Sequence, residues 1–287
     1  MNFDPTGKVS LDHIYTEPDP RSYFRTLREL DYCIPELAKP YFMKLIGEYR
    51  RSMGVRVPNV VDIGCSYGIN AALLKCNATM DELYERYSDH AVQTQDRSIL
   101  LAHDRDFVRS RNGQELARFV GLDSSQEALS YALSAGFIDD AVHADLEGRD
   151  PTQQERDLLA GTDLVISTGA IGYVSDSTIA RVVSAAGERK PWMAHFVLRM
   201  FSFEPMAESL AGSGYETVRS DRMFKQRRFA SPQEQSLILD RLSTAGVDPR
   251  GLEADGWLYA QLYLSQPHGS GGRVVIDLAH DNVQPIP

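Results

Sequence analysis

Three acids at comparable places along the chain have the types and spacing for ligand chemistry. Asp62 stands in Val60-Val61-Asp62-Ile63-Gly64-Cys65-Ser66-Tyr67-Gly68, where an apolar run gives way to two glycines. Asp123 closes the apolar run that begins at Arg118, and Asp145 follows the run Asp139 to Ala144. A carboxylate at the end of a strand can accept hydrogen bonds from sugar hydroxyls or an amine, and it attracts cations. Glycines at both ends of the first loop let the backbone turn sharply and come close to a ligand. In open α/β sheets that place, beyond the carboxyl ends of the strands, is where ligands bind.

Two kinds of nucleotide ligand compete for such a loop. A dinucleotide site uses Gly-x-Gly-x-x-Gly to admit a pyrophosphate at a helix N-terminus. Counted from Gly64, that pattern needs glycine where the chain has Ser66 and Ile69. Asp62 would also repel a pyrophosphate, whereas it would attract a sulfonium or an ammonium. A dehydrogenase further needs a ribose-binding acid about 20 residues past the motif. Only Asp81, Glu82, Glu85 and Asp89 stand in that window, and none ends a strand.

Asp-x-Gly-x-x-x-Gly after a strand resembles the first motif of the class I S-adenosylmethionine-dependent methyltransferases, small-molecule type. The resemblance runs roughly from Val57 to Met200. It implies S-adenosylmethionine as cofactor, held by Asp62, Gly64, Cys65, Ser66 and Gly68 in the loop. It assigns Asp123, with Ser124, to the ribose hydroxyls and Asp145, with Ala144 and Leu146, to the adenine. Thr168 and Gly169, after the fourth strand, fall near the sulfonium. Two features depart from the family: Ser66 stands where members often carry glycine, and about 40 residues (77–117) intervene before Asp123.

The substrate side is sparser. Methyl transfer is an in-line displacement that depends on placing the nucleophile and excluding water, so a dedicated base is optional. Tyr173 and His195 are the catalytic candidates; Tyr15, Tyr173 and Arg199 are candidates for gripping the acceptor. Each has a plainer alternative: a packed aromatic, a satisfied core histidine, an arginine paired with a local acid such as Glu204. His13 is a further candidate to cover the cofactor. Ser167-Thr168-Gly169-Ala170 differs from the Asn/Asp-Pro-Pro-Tyr of base and amide N-methyltransferases, which argues against those substrates. No second acid supports Asp176, so no metal is expected.

The elements that must position these residues follow from periodicity. Strands are expected at Val57 to Ile63, Arg118 to Leu122, Asp139 to Ala144, Asp163 to Ser167, Pro191 to Met200, Trp257 to Ser265 and Arg273 to Leu278. Helices alternate with them. The expected fold is a Rossmann-like α/β domain: a seven-stranded, mostly parallel sheet with an antiparallel end, helices on both faces and a helical cap. Residues 1–56 are expected to form an N-terminal helical lid and 57–287 the methyltransferase domain, with a helical insertion at about 77–117. Lys225-Gln226-Arg227-Arg228 is read as an edge strand or a solvated face.

Bulk properties narrow the function. The chain has 287 residues and a formal net charge of -10, which argues against a nucleic-acid partner. Three cysteines are too few and scattered for a disulfide framework. Cys65 reads as a small residue in a tight loop. No apolar run is long enough for a membrane span, and the first residues lack the pattern of a secretion signal, so a cytoplasmic enzyme is expected. The expected partner is a small-molecule methyl acceptor, with a homodimer left open. A nicotinamide-dependent oxidoreductase and a non-catalytic cofactor-binding module are the alternatives.

Overall fold

The computed structural model describes residues 2–88, 92, 94–111 and 116–270. Strands β1 (Asn59–Ile63), β2 (Arg118–Asp123), β3 (Asp140–His143), β4 (Leu164–Thr168), β5 (Trp192–Leu198), β6 (Tyr215–Arg228) and β7 (Trp257–Pro267) form one seven-stranded sheet in the order β3-β2-β1-β4-β5-β7-β6. The first five strands run parallel, and β7 is antiparallel to both β5 and β6. This is the architecture that the resemblance implied. The strand expected at Arg273 to Leu278 lies outside the described residues. The sheet edge is formed by β6, of which the sequence reading had only the last residues.

Both faces of the sheet are covered, so its strands read as nearly unbroken apolar runs. Successive side chains go to opposite sides. Val60 packs with Phe42, Leu45 and Ile46 of the helix Ile34–Met53, while Val61 packs with Ile179 and Val182 of the helix Asp176–Ala186. Helix Ile34–Met53 carries Ala38, Tyr41, Phe42, Leu45, Ile46 and Tyr49 on its buried stripe and stops at Gly54, which adopts φ 66°. It is therefore a layer of the sheet sandwich. Only the chain ahead of it, with the first residues of the helix, reaches the ligand cavity, so the expected lid over 1–56 divides in two.

The insertion forms the expected helices, Met80–Ser88 and Arg97–Arg111. It packs on helices Arg21–Glu29 and Gln126–Ala135: Tyr87 stacks on Phe24 at 4.4 Å, and buried Asp104 accepts hydrogen bonds from Arg86 (2.6 Å), Tyr87 (2.8 Å) and Tyr131 (2.6 Å). None of its described residues lines the cavity. The described residues of the insertion thus buttress the N-terminal helices.

Candidate cofactor and acceptor site

A cavity of about 700 Å³ opens beyond the carboxyl ends of β1 to β4. Its centre is the gap where β1 meets β2 on one side and β4 on the other, the switch in strand order at which α/β sheets bind ligands. The volume lies within the roughly 300–1,000 Å³ of ordinary ligand pockets. Strand ends supply Gly64, Cys65 and Ser66 after β1, Asp123 and Ser124 at β2, Ala144, Asp145 and Leu146 after β3, and Thr168 and Gly169 at β4. Every one of these was singled out from sequence.

The loop after β1 is left-handed at three places: Gly64 (φ 69°), Ser66 (φ 50°) and Gly68 (φ 76°). A Cβ on Gly64 would meet that of Ala170 at 2.8 Å. Gly68 does not line the cavity; a Cβ there would press on Phe137, Ala132 and Ile138 at 3.1–3.3 Å. Its role is close packing of the helix Ile69–Lys75, a correction to its reading as a cofactor contact. Cys65 points its sulfur at Gly121, and burial raises its thiol pKa well above the ordinary value.

Three of the loop's donors are already committed. Gly64 N–H donates to Leu122 O (2.8 Å), Gly68 N–H to Cys65 O (2.9 Å) and Ser66 N–H to the Asp123 carboxylate (2.8 Å). Ser125 N–H takes the other Asp123 oxygen at 2.9 Å. A pyrophosphate would therefore meet a carboxylate where a dinucleotide loop offers free N–H groups.

Asp62 itself is fully buried and does not line the cavity. Asn70 stands between, its amide N–H donating to both Asp62 oxygens (3.1 and 3.3 Å) and to the Thr168 hydroxyl (3.2 Å). Burial pushes the Asp62 carboxyl up to about 7, against the lowering effect of the Asn70 hydrogen bond. The sequence reading missed Asn70. Its signal was a lone amide among Ile69, Ala71, Ala72, Leu73 and Leu74, in the first turn after the glycine loop.

Three polar atoms on the cavity wall are buried without a hydrogen-bond partner: Ser66 Oγ, Asn70 Oδ1 and Gln226 Oε1. Such an atom costs about 1–3 kcal/mol unless something satisfies it. Their gathering around one cavity marks where a polar ligand fits.

The N-terminal segment forms the opposite wall through Asp4, Lys8, Leu11, Tyr15 and Tyr23. It is pinned to the cofactor loop, since Tyr67 donates to Ile14 O (3.1 Å) and Glu17 O (2.8 Å), and Ser125 donates to Tyr15 O. Tyr15 lines the cavity, with its phenol raised to about 12 by burial. His13 is exposed and does not line it. Tyr173 lines the outer end, 47% exposed, and donates to Asp4 at 2.8 Å. Its hydroxyl is thus held by Asp4.

The remaining wall comes from β6. Cys33 N–H donates to Gln226 O (2.9 Å) and Arg228 N–H to Leu30 O (2.7 Å), which sets Tyr32, Gln226 and Arg227 side by side on the cavity. Tyr32 lies beside Tyr23 and Thr168. Neither Tyr32 nor Gln226 was singled out as a site residue from sequence.

Two predicted residues lie elsewhere. His195 is fully buried within β5, bonded through Nδ1 to the Ser167 hydroxyl (2.8 Å), and absent from the cavity wall. Burial drives its pKa down to about 3. The structure places it as a core histidine, apart from the cavity to which the catalytic reading would bring it. Arg199 pairs with buried Glu253 and donates to Asp248 O (2.9 Å), away from the cavity wall. The local-acid alternative therefore describes Arg199, with Glu253 in the place expected for Glu204.

Among the described residues no group of three or more His, Cys, Asp and Glu side chains is arranged to hold a metal. No described helix is long and apolar enough to cross a membrane.

No family model and no curated protein matches the sequence. Solved structures do. The plantazolicin methyltransferase BamL, in complex with a triazolic desmethylPZN analog and SAH, is 13% identical and covers 90% of this chain and 99% of its own, with a TM-score of 0.45. A TehB-like SAM-dependent methyltransferase from Corynebacterium glutamicum is 12% identical over 76% of this chain and 85% of its own, with a TM-score of 0.37. The 4+2 cyclase SpnF is 15% identical over 79% and 81%, with a TM-score of 0.38. The chain is thus similar to proteins described as methyltransferases and to one described as a cyclase, while its own strand order establishes the Rossmann-like α/β fold.

Proposed function

We propose that the protein binds S-adenosylmethionine and transfers its methyl group to an oxygen or nitrogen of a small molecule. One observation carries the reading: Asp123 at the end of β2 and Asn70, backed by buried Asp62, stand beside a cavity where the Ser66 N–H of the glycine loop already donates to the Asp123 carboxylate. That wall suits a ligand with ribose hydroxyls and positive charge, and it opposes a pyrophosphate.

The residues divide by chemistry. Asp123 retains lone pairs for the two ribose hydroxyls, and Asp145 has one oxygen engaged by Glu147 N–H (3.0 Å) and the other available to an adenine amine. Asn70 Oδ1, with Asp62 behind it, suits an ammonium, and Ser66 Oγ a further polar group of the ligand. The cofactor supplies an electrophilic methyl on sulfur. The chain's part is to hold an acceptor lone pair in line beside Thr168 and Gly169, between Tyr32 and Gln226, and to keep water out. Loss of the acceptor's proton needs no enzymic base if its pKa is low. His195, the base candidate in the sequence, does not line the cavity.

The test is turnover of methyl-labelled S-adenosylmethionine with pooled small-molecule acceptors. Label entering an acceptor with equal S-adenosylhomocysteine supports the proposal. Cofactor binding without transfer to any pool would leave a binding module instead.

A further inference from the structure

The outer end of the cavity carries a cation with nothing to hold. Lys8 lines it, and its Nζ sits 5.1 Å from the centre of the Tyr173 ring. Among the described residues Nζ has no hydrogen-bond acceptor, although two acids are close. Asp4 accepts from Thr6 N–H (2.8 Å), the Thr6 hydroxyl (2.5 Å) and Lys8 N–H (3.1 Å) on one oxygen, and from Tyr173 (2.8 Å) on the other. Glu234, fully buried, accepts from Arg227 twice (2.6 and 3.0 Å), from Val9 N–H (2.8 Å) and from Ala230 N–H (2.7 Å). Arg227, 3% exposed and also on the cavity wall, is held by that fork. Both oxygens of each carboxylate are therefore engaged by other donors, and the ammonium keeps donors for a ligand at the cavity mouth.

The surroundings work against the charge. Burial first, and Arg227 second, bring Lys8 from 10.5 down to about 8. A group in that position is stabilised by an anion, and a single anion suffices because Arg227 already has its partner. The inner wall carries the aromatic residues Tyr15, Tyr23 and Tyr32, and Gln226, whose Oε1 is orphaned, also lines the cavity.

Resting on the methyltransferase reading, we infer that Lys8 forms an anion subsite for the acceptor, and that the acceptor is a carboxylic acid with a flat apolar body. Its carboxylate pairs with Lys8 at the mouth, its body lies against Tyr15 and Tyr32, and its nucleophilic atom points to Thr168 and Gly169. Lys8 is a specificity-determining residue in this scheme and takes no part in the methyl transfer itself.

Calorimetric titration of benzoate and benzamide into protein saturated with S-adenosylhomocysteine tests the subsite without knowledge of the natural acceptor. Benzoate is expected to bind at least tenfold more tightly than its neutral isostere. Lys8→Gln should erase the difference and Lys8→Arg should retain most of it, with thermal melts confirming that each variant is folded. Equal affinity for the two probes, no binding of either, or a preference that survives Lys8→Gln would overturn the inference. So would a Lys8→Gln protein whose only loss is in S-adenosylhomocysteine affinity, since Lys8 would then belong to the cofactor site. If S-adenosylhomocysteine itself fails to bind, the methyltransferase reading fails, while a Lys8-dependent benzoate preference would still establish the anion subsite.

Discussion

At the scale of the residue, Asp62 is the informative group. Its carboxyl is raised in the folded protein from 3.8 to about 7, so between those values the folded state holds a proton that the unfolded chain has lost. Its contribution to stability therefore falls as pH rises from about 4 to about 7. Asp62→Asn removes this penalty: relative to the unmodified protein, the ligand-free variant should gain stability at pH 8 compared with pH 5, as read by denaturant unfolding at both values. The same change should weaken S-adenosylhomocysteine binding at least tenfold at pH 8, because the ionised carboxylate behind Asn70 is what favours the ligand's ammonium. His195 behaves differently. It is buried neutral with its pKa lowered to about 3, so it contributes stability above about 6.5 that is lost as pH falls. His195→Gln should lower the melting temperature yet leave S-adenosylhomocysteine affinity within twofold. A selective loss of turnover in that variant, at unchanged affinity, would restore it to the catalytic list.

At the scale of the element, the glycine loop was legible because its chemistry is local: a strand that ends in Asp62, two glycines in left-handed conformations and a helix follow one another within a few residues. Ser66 is the one strained position, at φ 50°, which explains why glycine is natural there. Strand β6 was legible only at its end. Register shifts between Arg219 and Met223 and between Lys225 and Arg227 break the alternation, so the buried residues Tyr215, Ser220, Phe224, Gln226 and Arg227 show no period of two. Gln226 and Arg227, which line the cavity, went unread for that reason. The insertion's helices were readable, but its placement was set by one buried carboxylate that sequence gives no reason to notice. Asp104→Ala leaves Arg86 and two tyrosine hydroxyls without their partner. It should cost about 3–5 kcal/mol in denaturant unfolding, with S-adenosylhomocysteine affinity of the folded fraction within twofold, since no described residue of the insertion lines the cavity. A large loss of affinity at unchanged stability would mean that the insertion acts on the ligand directly.

At the scale of the whole molecule, the parallel sheet delivers Gly64, Asp123, Asp145 and Thr168 to one edge by topology alone, which is why these residues could be placed before any coordinates existed. What closes the cavity opposite them is non-local. Tyr67 and Ser125 reach out to the N-terminal segment, and Glu234 takes Val9 N–H from 225 positions away in the chain. Contacts at such separation leave no pattern in sequence. They explain how Lys8 and Tyr32 came to line the cavity while His195 and Arg199, both near the right strand end, do not. The central claim is that this edge is built for S-adenosylmethionine and against a dinucleotide. Calorimetric titration with S-adenosylhomocysteine and, separately, with NADH, repeated on Asp123→Ala, tests it most directly. The account predicts binding of S-adenosylhomocysteine alone, weakened at least tenfold by the loss of Asp123; binding of NADH alone, or of neither ligand, would contradict it.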